Sequence, residues 1–510
     1  MTQTRSMLLI AWLFLAGWLW LQWNEFDAAP AATTTAVTAT GSPATPVPAQ
    51  SLPSPAATLP SAGALPDVEL PGGITSDNVA TDAPVLRLRN DVLELAIDAH
   101  GNVVDSHLLG YQQEKKVGSP DVQLLRSSDG QRYVAGAGLI QSPDGRQQVP
   151  LAIQFRPVDG KSDVRLADGA AALSVPLQWT DPVSGLQVQR TLTLARGSYL
   201  LTMQDSLVNN GTGAQRVWPY VDLARTAPPT PGKLHGFTNP EAFSFTGAAW
   251  YTPEEKFAKT PLTDYDDEKP PIELVTGGWI GLLQHHFVTA WVPGPEDAQM
   301  FTLSQDSSDG LPMYRIRSVA RPIDIAPGAK ASRQARLWVG PKLQKQLETI
   351  APGLKLSLDY GKVTFIAQPL FDYVLKPLHA LTRNWGWAII LTVLLLKLAL
   401  YPLSAAQFRS MAKMRAVQPR IEALKERYGS GQEYQVAMME LYKKEKINPV
   451  GGCLPMLIPL PIMFALYWVL LETVELRHAP WIGWIQNLTA PDPYFVLPVL
   501  NLAVMYLTQK

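Results

Sequence analysis

The chain of 510 residues contains a single cysteine, Cys453, and it lies inside an apolar run. The long middle of the chain therefore has no disulfide to rely on. If that middle is exported, its stability must come from a buried core, which a domain of roughly 250 residues is large enough to form. A charge surplus is also missing, since 43 basic and 44 acidic residues leave a net charge of −1. No basic patch is interleaved with aromatics, so nothing supports a direct nucleic-acid partner. Nucleotide motifs are absent as well. Gly160-Lys161-Ser162 resembles the end of a phosphate loop, but Phe155 stands where the loop's first glycine belongs. Neither G-x-S-x-G nor G-x-G-x-x-G occurs. The residues point to no cofactor.

Two groups invite a metal reading. His285 and His286 are adjacent, and neighbours on a strand point to opposite faces, so they read as core or surface histidines. Asp264, Asp266, Asp267 and Glu268 lack the glycine and the distant glutamate of a calcium loop, and read as a solvated turn.

What the chain does have is apolar sequence at its two ends. Residues 7–23 are uninterrupted by charge, follow Arg5, and carry Trp12, Trp18, Trp20 and Trp23. The run exceeds the ~7–15 residues of a signal-peptide core, so residues 1–26 read as an uncleaved anchor with the amino terminus inside. Residues 27–84 are rich in Pro, Ala and Thr and too poor in large apolar side chains to fold, so they read as a tether.

At residue 85 the pattern changes to period two. Leu86 and Leu88 alternate with Arg87 and Arg89 before the turn signal Asn90-Asp91. Leu186, Val188, Leu192 and Leu194 alternate with Gln187, Gln189, Thr191 and Thr193 before Arg196-Gly197-Ser198. Such alternation predicts antiparallel strands with one buried face, and residues 85–341 read as a predominantly β domain, most simply a sandwich.

The last third reads as membrane sequence. Residues 342–383 contain Leu370, Phe371, Val374, Leu375 and Leu378 at helical spacing, interrupted by Pro369 and Pro377. That predicts short helical pieces, either at a membrane interface or packed on a soluble core. Residues 384–403 predict a span whose one charge is Lys397. A mid-membrane lysine costs about 2.5–3.5 kcal/mol on insertion scales, so it either snorkels to the headgroups or faces a wet cavity. Residues 404–449 carry an apolar stripe through Phe408, Met411, Met414, Val417, Ile421 and Leu424. The stripe resumes at Tyr434, Met438 and Leu441 after Gly429-Ser430-Gly431, which predicts a helical hairpin. Its surplus of Lys and Arg places it in the cytoplasm. Residues 450–472 predict a bent span with Pro455, Pro459 and Pro461, residues 473–492 an outer loop with Trp481 and Trp484, and residues 493–510 a final span.

These residues resemble the YidC family of membrane protein insertases. Asn384-Trp385-Gly386, Tyr401-Pro402-Leu403, Ser410-Met411-Ala412-Lys413-Met414 and Asn448-Pro449-Val450-Gly451-Gly452-Cys453-Leu454-Pro455 carry the likeness in the last third. Gly278-Trp279, Thr289-Ala290-Trp291 and Leu337-Trp338-Val339-Gly340-Pro341 carry it in the middle.

The resemblance implies a multi-pass α-helical membrane bundle plus a large all-β periplasmic domain, a β-supersandwich, in the cell inner membrane. It implies a hydrophilic groove in which Lys397 holds the family's positive charge, with Thr392 beside the client. The hairpin, with Met411, Met414, Met438 and Met439, becomes a client-handling element. Implied partners are nascent membrane proteins, the Sec translocon, the ribosome or signal recognition machinery, and the lipid bilayer. No bond is broken, so the resemblance implies no enzyme. The family's bundle has five core helices and this sequence supplies three, so the expectation is that two closing helices are missing. From a different functional class, a large anchored β-sandwich could bind or modify sugars, which would require a carboxylate–histidine pair in a cleft.

Overall fold

The structure, a computed structural model, describes residues 83–116, 118–128, 130–142, 149–228, 244–265, 274–294, 296–308, 310–358, 360–429, 431–445, 457 and 459–509. The expected amino-terminal anchor, the tether through residue 82, Asp266 to Glu268 of the acidic loop, and Cys453 with Pro449 and Pro455 lie outside these residues.

The alternation at the start of the middle domain becomes strand structure directly. Leu86 and Leu88 are fully buried, while Arg87 and Arg89 reach across to Glu94 at 3.3 and 3.1 Å. Among the described residues the strands form two large sheets. One has thirteen strands, with Gln215–Thr226, Gln131–Gln141 and Val103–Gln112 near its middle. The other has nine, in which Lys330–Pro341 lies between Phe287–Pro293 and Leu200–Asn209. Pairing is antiparallel except where Leu86–Arg89 meets Asp163–Arg165. Trp250, Trp279, Trp291 and Trp338 fill the core. Trp291 donates its indole N–H to Asp222 O at 2.9 Å, joining one sheet to the other.

The alternation in Leu186–Ala195 contains an intruder. Arg190 takes an inward position and is 1% exposed. Burying a guanidinium is costly unless its charge and donors are matched. Asp205 on the neighbouring strand accepts two of its N–H bonds, at 2.7 and 2.9 Å. Ala137 O at 3.1 Å and the Phe155 ring at 4.7 Å complete the cage. A second buried carboxylate, Asp222, receives Arg315 at 2.7 Å and Arg317 at 3.0 Å. Gly136 lies against it, where a Cβ would fall 2.2 Å from Asp222 Oδ1. Only glycine lets that pair of strands carry the cluster.

One expectation fails on geometry. His285 and His286 lie in the turn between Trp279–Gln284 and Phe287–Pro293, not on a strand. Their rings therefore face the same way and stack with centroids 3.7 Å apart.

After the last strand the chain becomes helical: α1 (Gln344–Ile350), α2 (Thr364–Pro369), α3 (Lys376–Thr382), α4 (Trp385–Ala399), α5 (Tyr401–Tyr428), α6 (Gln432–Lys444), α7 (Pro459–Glu472) and α8 (Val496–Gln509). Around Pro369 and Pro377 the chain forms short helical pieces, as the sequence predicts, and they follow one another without a gap. A π-helical turn, Leu370–Leu375, joins α2 to α3, so the backbone stays helical past both prolines. Ala367, Leu370, Phe371 and Leu375 are buried, whereas Phe365, Tyr373 and Leu381 are at least three-quarters exposed. One buried apolar cluster runs from the sandwich through Leu347, Tyr360, Phe371 and Leu375 to Ala388, Ala465 and Val469.

Candidate functional site

The candidate site lies on the apolar helices and the charged hairpin. Asn384 starts α4 by accepting a hydrogen bond from the Trp387 backbone N–H at 3.2 Å. The same side chain donates to Trp481 O at 3.1 Å, so the loop after α7 closes over the beginning of α4. Trp481 lies so close to Gly386 that a Cβ there would be 2.2 Å from the indole ring. Trp387 meets Trp481 edge to face at 5.7 Å.

Along α4, polarity and exposure are inverted relative to a soluble helix. Thr392 is fully buried and donates its hydroxyl to Ala388 O at 2.8 Å. Ile390, Leu394, Leu395 and Leu398 are 40–61% exposed. Lys397 is exposed in the last turn, among those leucines. Five residues of helix correspond to a rotation of about 140°, so Thr392 and Lys397 occupy different faces. The structure therefore does not bring these two residues together. Among the described residues Lys397 has no ion pair.

The chain bends at Leu400, and no single described helix is long and apolar enough to cross a membrane. The α4–α5 pair meets that test only jointly, with a bend of 54°. Helices α7 and α8 are shorter apolar helices. On α8, Val499, Leu500, Leu502, Tyr506 and Leu507 are all more than half exposed.

The stripe read from the sequence closes the hairpin. Val417 and Ile421 of α5 are buried against Tyr434, Leu441 and Tyr442 of α6, and Met414 joins them. Arg420 of α5 reaches Glu445, just past α6, at 2.5 Å. Met438 is half-buried and Met439 is 53% exposed. Met411 belongs to α5, and its side chain lies outside the described residues. So Met414 serves the hairpin's own core while Met439 faces outward.

Sequence reasoning missed a cluster between the β domain and the carboxyl end of α7. His285 Nε2 lies 2.9 Å from Leu471 O, a contact between residues 186 positions apart in the chain. Lys342 and Glu472 are buried together, 1% and 2% exposed, with 3.9 Å between Nζ and Oε2. A lysine just past the last strand and a glutamate closing an apolar run were the only local signals. Among the described residues no group of His, Cys, Asp and Glu is arranged to hold a metal ion. The carboxylate–histidine contact on the outer sheet face, Asp105 with His107 at 3.4 Å, is held within a cross-strand row with Gln123. Hydrogen bonds from His107 and Gln123 keep the Asp105 carboxyl below its usual range against the opposing effect of burial.

Comparison with known proteins covers both halves of the chain. Residues 85–373 match the family model described as the YidC periplasmic domain, and residues 377–510 match that of the 60Kd inner membrane protein. A membrane protein insertase YidC from Xanthomonas campestris pv. campestris (strain 8004) is 45% identical over 525 aligned positions, covering 100% of this chain and 88% of the relative. The Stenotrophomonas maltophilia (strain R551-3) membrane protein insertase YidC is also 45% identical, over 524 positions, with 100% and 87% covered. Among solved structures, a galactose mutarotase related enzyme from Lactobacillus acidophilus covers 50% of this chain and 96% of its own, at 10% identity and a TM-score of 0.32. That likeness is too slight to support the sugar-modifying alternative, and the family matches do not favour it. The two family models and the full-length relatives agree, and the chain belongs to the YidC family of membrane protein insertases.

Proposed function

We propose that this chain inserts integral membrane proteins into the inner membrane and assists their folding. The observation that carries the reading is the full-length similarity to membrane protein insertases, found on a chain whose apolar helices expose leucines and bury threonine. Its clients are nascent membrane proteins, received alone or from the Sec translocon, with the ribosome or signal recognition machinery as further partners.

In this reading the amino-terminal apolar run, α4, α7 with its preceding residues, and α8 are the membrane spans. The β domain is periplasmic, and the hairpin and both termini are cytoplasmic. The hairpin's basic surplus supports that orientation. The proposed domain boundaries are those of the sequence pattern: anchor 1–26, tether 27–84, β domain 85–341, interfacial segment 342–383, spans 384–403, 450–472 and 493–510, and hairpin 404–449. The exposed Phe365, Tyr373 and Leu381 support an interfacial position for the segment before α4.

The mechanism follows from where the free energy lies. A client's apolar helix gains by entering lipid, whereas its polar flank must cross the hydrocarbon, and that crossing is the barrier. Lys397, a cation among exposed leucines, offers an acidic flank a transient counter-charge part-way across. Thr392 lines the same helix and meets the client only when α4 separates from its neighbours. Met439 and Met438, with Met411 by the spacing of the stripe, present adaptable apolar contacts to arriving segments, while Met414 packs inside the hairpin. Hydrophobic transfer and the membrane potential supply the drive, and the protein breaks no bond.

The test is insertion of a single-span client with an acidic tail into vesicles containing the purified chain. A photocrosslinker at Lys397 is expected to capture the client during transit, and Lys397→Glu to slow insertion. Unchanged insertion with Lys397→Glu, together with no crosslink, refutes the role given to Lys397.

A further inference from the structure

Helix α7 ends inside the protein. Leu471, Glu472 and Thr473 are 9%, 2% and 0% exposed. A helix leaves its last carbonyls without intrahelical donors, and burying them unmet is costly. Here the donors come from the β domain. His285 Nε2 lies 2.9 Å from Leu471 O, and because a carbonyl only accepts, that nitrogen carries the proton. The His286 ring stacks on that of His285, with centroids 3.7 Å apart. Burial holds both imidazoles neutral, His285 at about 4 and His286 at about 2. Each keeps one N–H to give.

The side chain of Glu472 is met by the same part of the β domain. Lys342 follows the strand Lys330–Pro341, and its backbone N–H donates to His286 O at 2.9 Å. Its ammonium lies 3.9 Å from the Glu472 carboxylate, with both groups out of solvent. A buried charge of either sign is costly unless it is matched, and these two face each other. Further bonds hold the chain just beyond: Arg477 donates to Gln113 O at 3.0 Å, and Lys115 donates to His478 O at 2.7 Å.

We infer that Lys342, Glu472 and the His285–His286 turn form a latch through which the β domain fixes the carboxyl end of α7. The apolar helix then moves as a rigid extension of the sandwich. Lys342 and Glu472 are positioning residues, since neither lies on the faces proposed to meet a client. The geometry stands independently, and its consequence for clients rests on the insertase reading.

The test uses the full chain in lipid nanodiscs with Cys453→Ser, and spin labels at Ser174→Cys on the sandwich and Met463→Cys on α7. With the latch intact, the distance distribution is expected to be narrow. Lys342→Met and the shape-conserving Glu472→Gln are expected to broaden it, while Lys342→Arg keeps it narrow. Lys355→Met, which removes an exposed pair with Glu348, is the control and leaves it unchanged. In vesicles, the two broadening variants are expected to lose client insertion by about tenfold, as breaking a buried pair implies, with the sandwich still folded by its tryptophan fluorescence. Distributions as narrow for Lys342→Met and Glu472→Gln as for the control overturn the latch. A chain that inserts no client even with the latch intact refutes the insertase reading, and the distance measurement still decides the latch.

Discussion

The sandwich and the carboxyl-terminal helices use opposite rules for what faces outward. In the sandwich, leucines such as Leu86, Leu186 and Leu194 are buried, and Arg190, which enters the core, is caged by Asp205. In α4 and α8 leucines such as Leu394, Leu398 and Leu502 face out, and the hydroxyl of Thr392 faces in. The same side-chain chemistry thus has two placements in one chain. On the proposed function, the two regions answer to different surroundings: water rewards burying apolar area, whereas hydrocarbon removes that reward and penalises exposed polar groups.

The contrast can be broken at several points. The largest effect is expected in the sandwich core. Asp205→Ala leaves the Arg190 charge buried and unmatched and should destabilise the domain by about 3–5 kcal/mol, measured by chemical denaturation followed through tryptophan fluorescence. Next comes a direct comparison of two exposed apolar residues. Leu502→Asp on α8, at a site 69% exposed, should cost about 2.5–3.5 kcal/mol of membrane integration, read by carbonate extraction. Val183→Asp in a sandwich turn, at a site 92% exposed, should change stability by less than about 0.5 kcal/mol. Equal effects of the two substitutions would erase the distinction between the regions.

A smaller effect concerns pH. His285 titrates near 6.5 when unfolded and at about 4 when folded, so the unfolded chain binds more protons below about pH 6.5. Stability at the junction is fully present above that pH and falls as pH drops toward 4, by up to about 1.4 kcal/mol per unit for one histidine. Denaturation at several pH values should show this slope, to which the depressed His286 adds its own, and His285→Gln should remove only the His285 share. The smallest effect belongs to the sandwich surface. Arg87→Ala removes a contact to Glu94 from a side chain 48% exposed, and should cost no more than about 0.2–1 kcal/mol in the same denaturation assay.

Legibility followed the range of the interaction. Leu86 and Leu88 announced their strand because alternation is encoded by neighbours two apart. The hairpin was visible because Val417, Ile421, Tyr434 and Leu441 repeat at helical spacing around a glycine-rich break. The placement of His285 and His286 was misread because the same two residues point apart on a strand and together in a turn. The short helical pieces around Pro369 and Pro377 were legible, whereas the π-turn that joins them leaves no local mark. Within the candidate site, Lys397 stood out as a charge in an apolar run. That Thr392 occupies a different face follows from helical rotation, but its burial depends on what packs there.

By itself the sequence determined the division of this protein into a β-rich middle and apolar helices, because hydrophobic period and run length are local properties of the chain. The tertiary structure alone decided that Arg190 could enter a core, that Gly136 must yield room to Asp222, and that α7 ends against the sandwich at Lys342. Each of these depends on groups brought together from distant parts of the chain, where an unmatched buried charge or carbonyl costs more than any local propensity supplies.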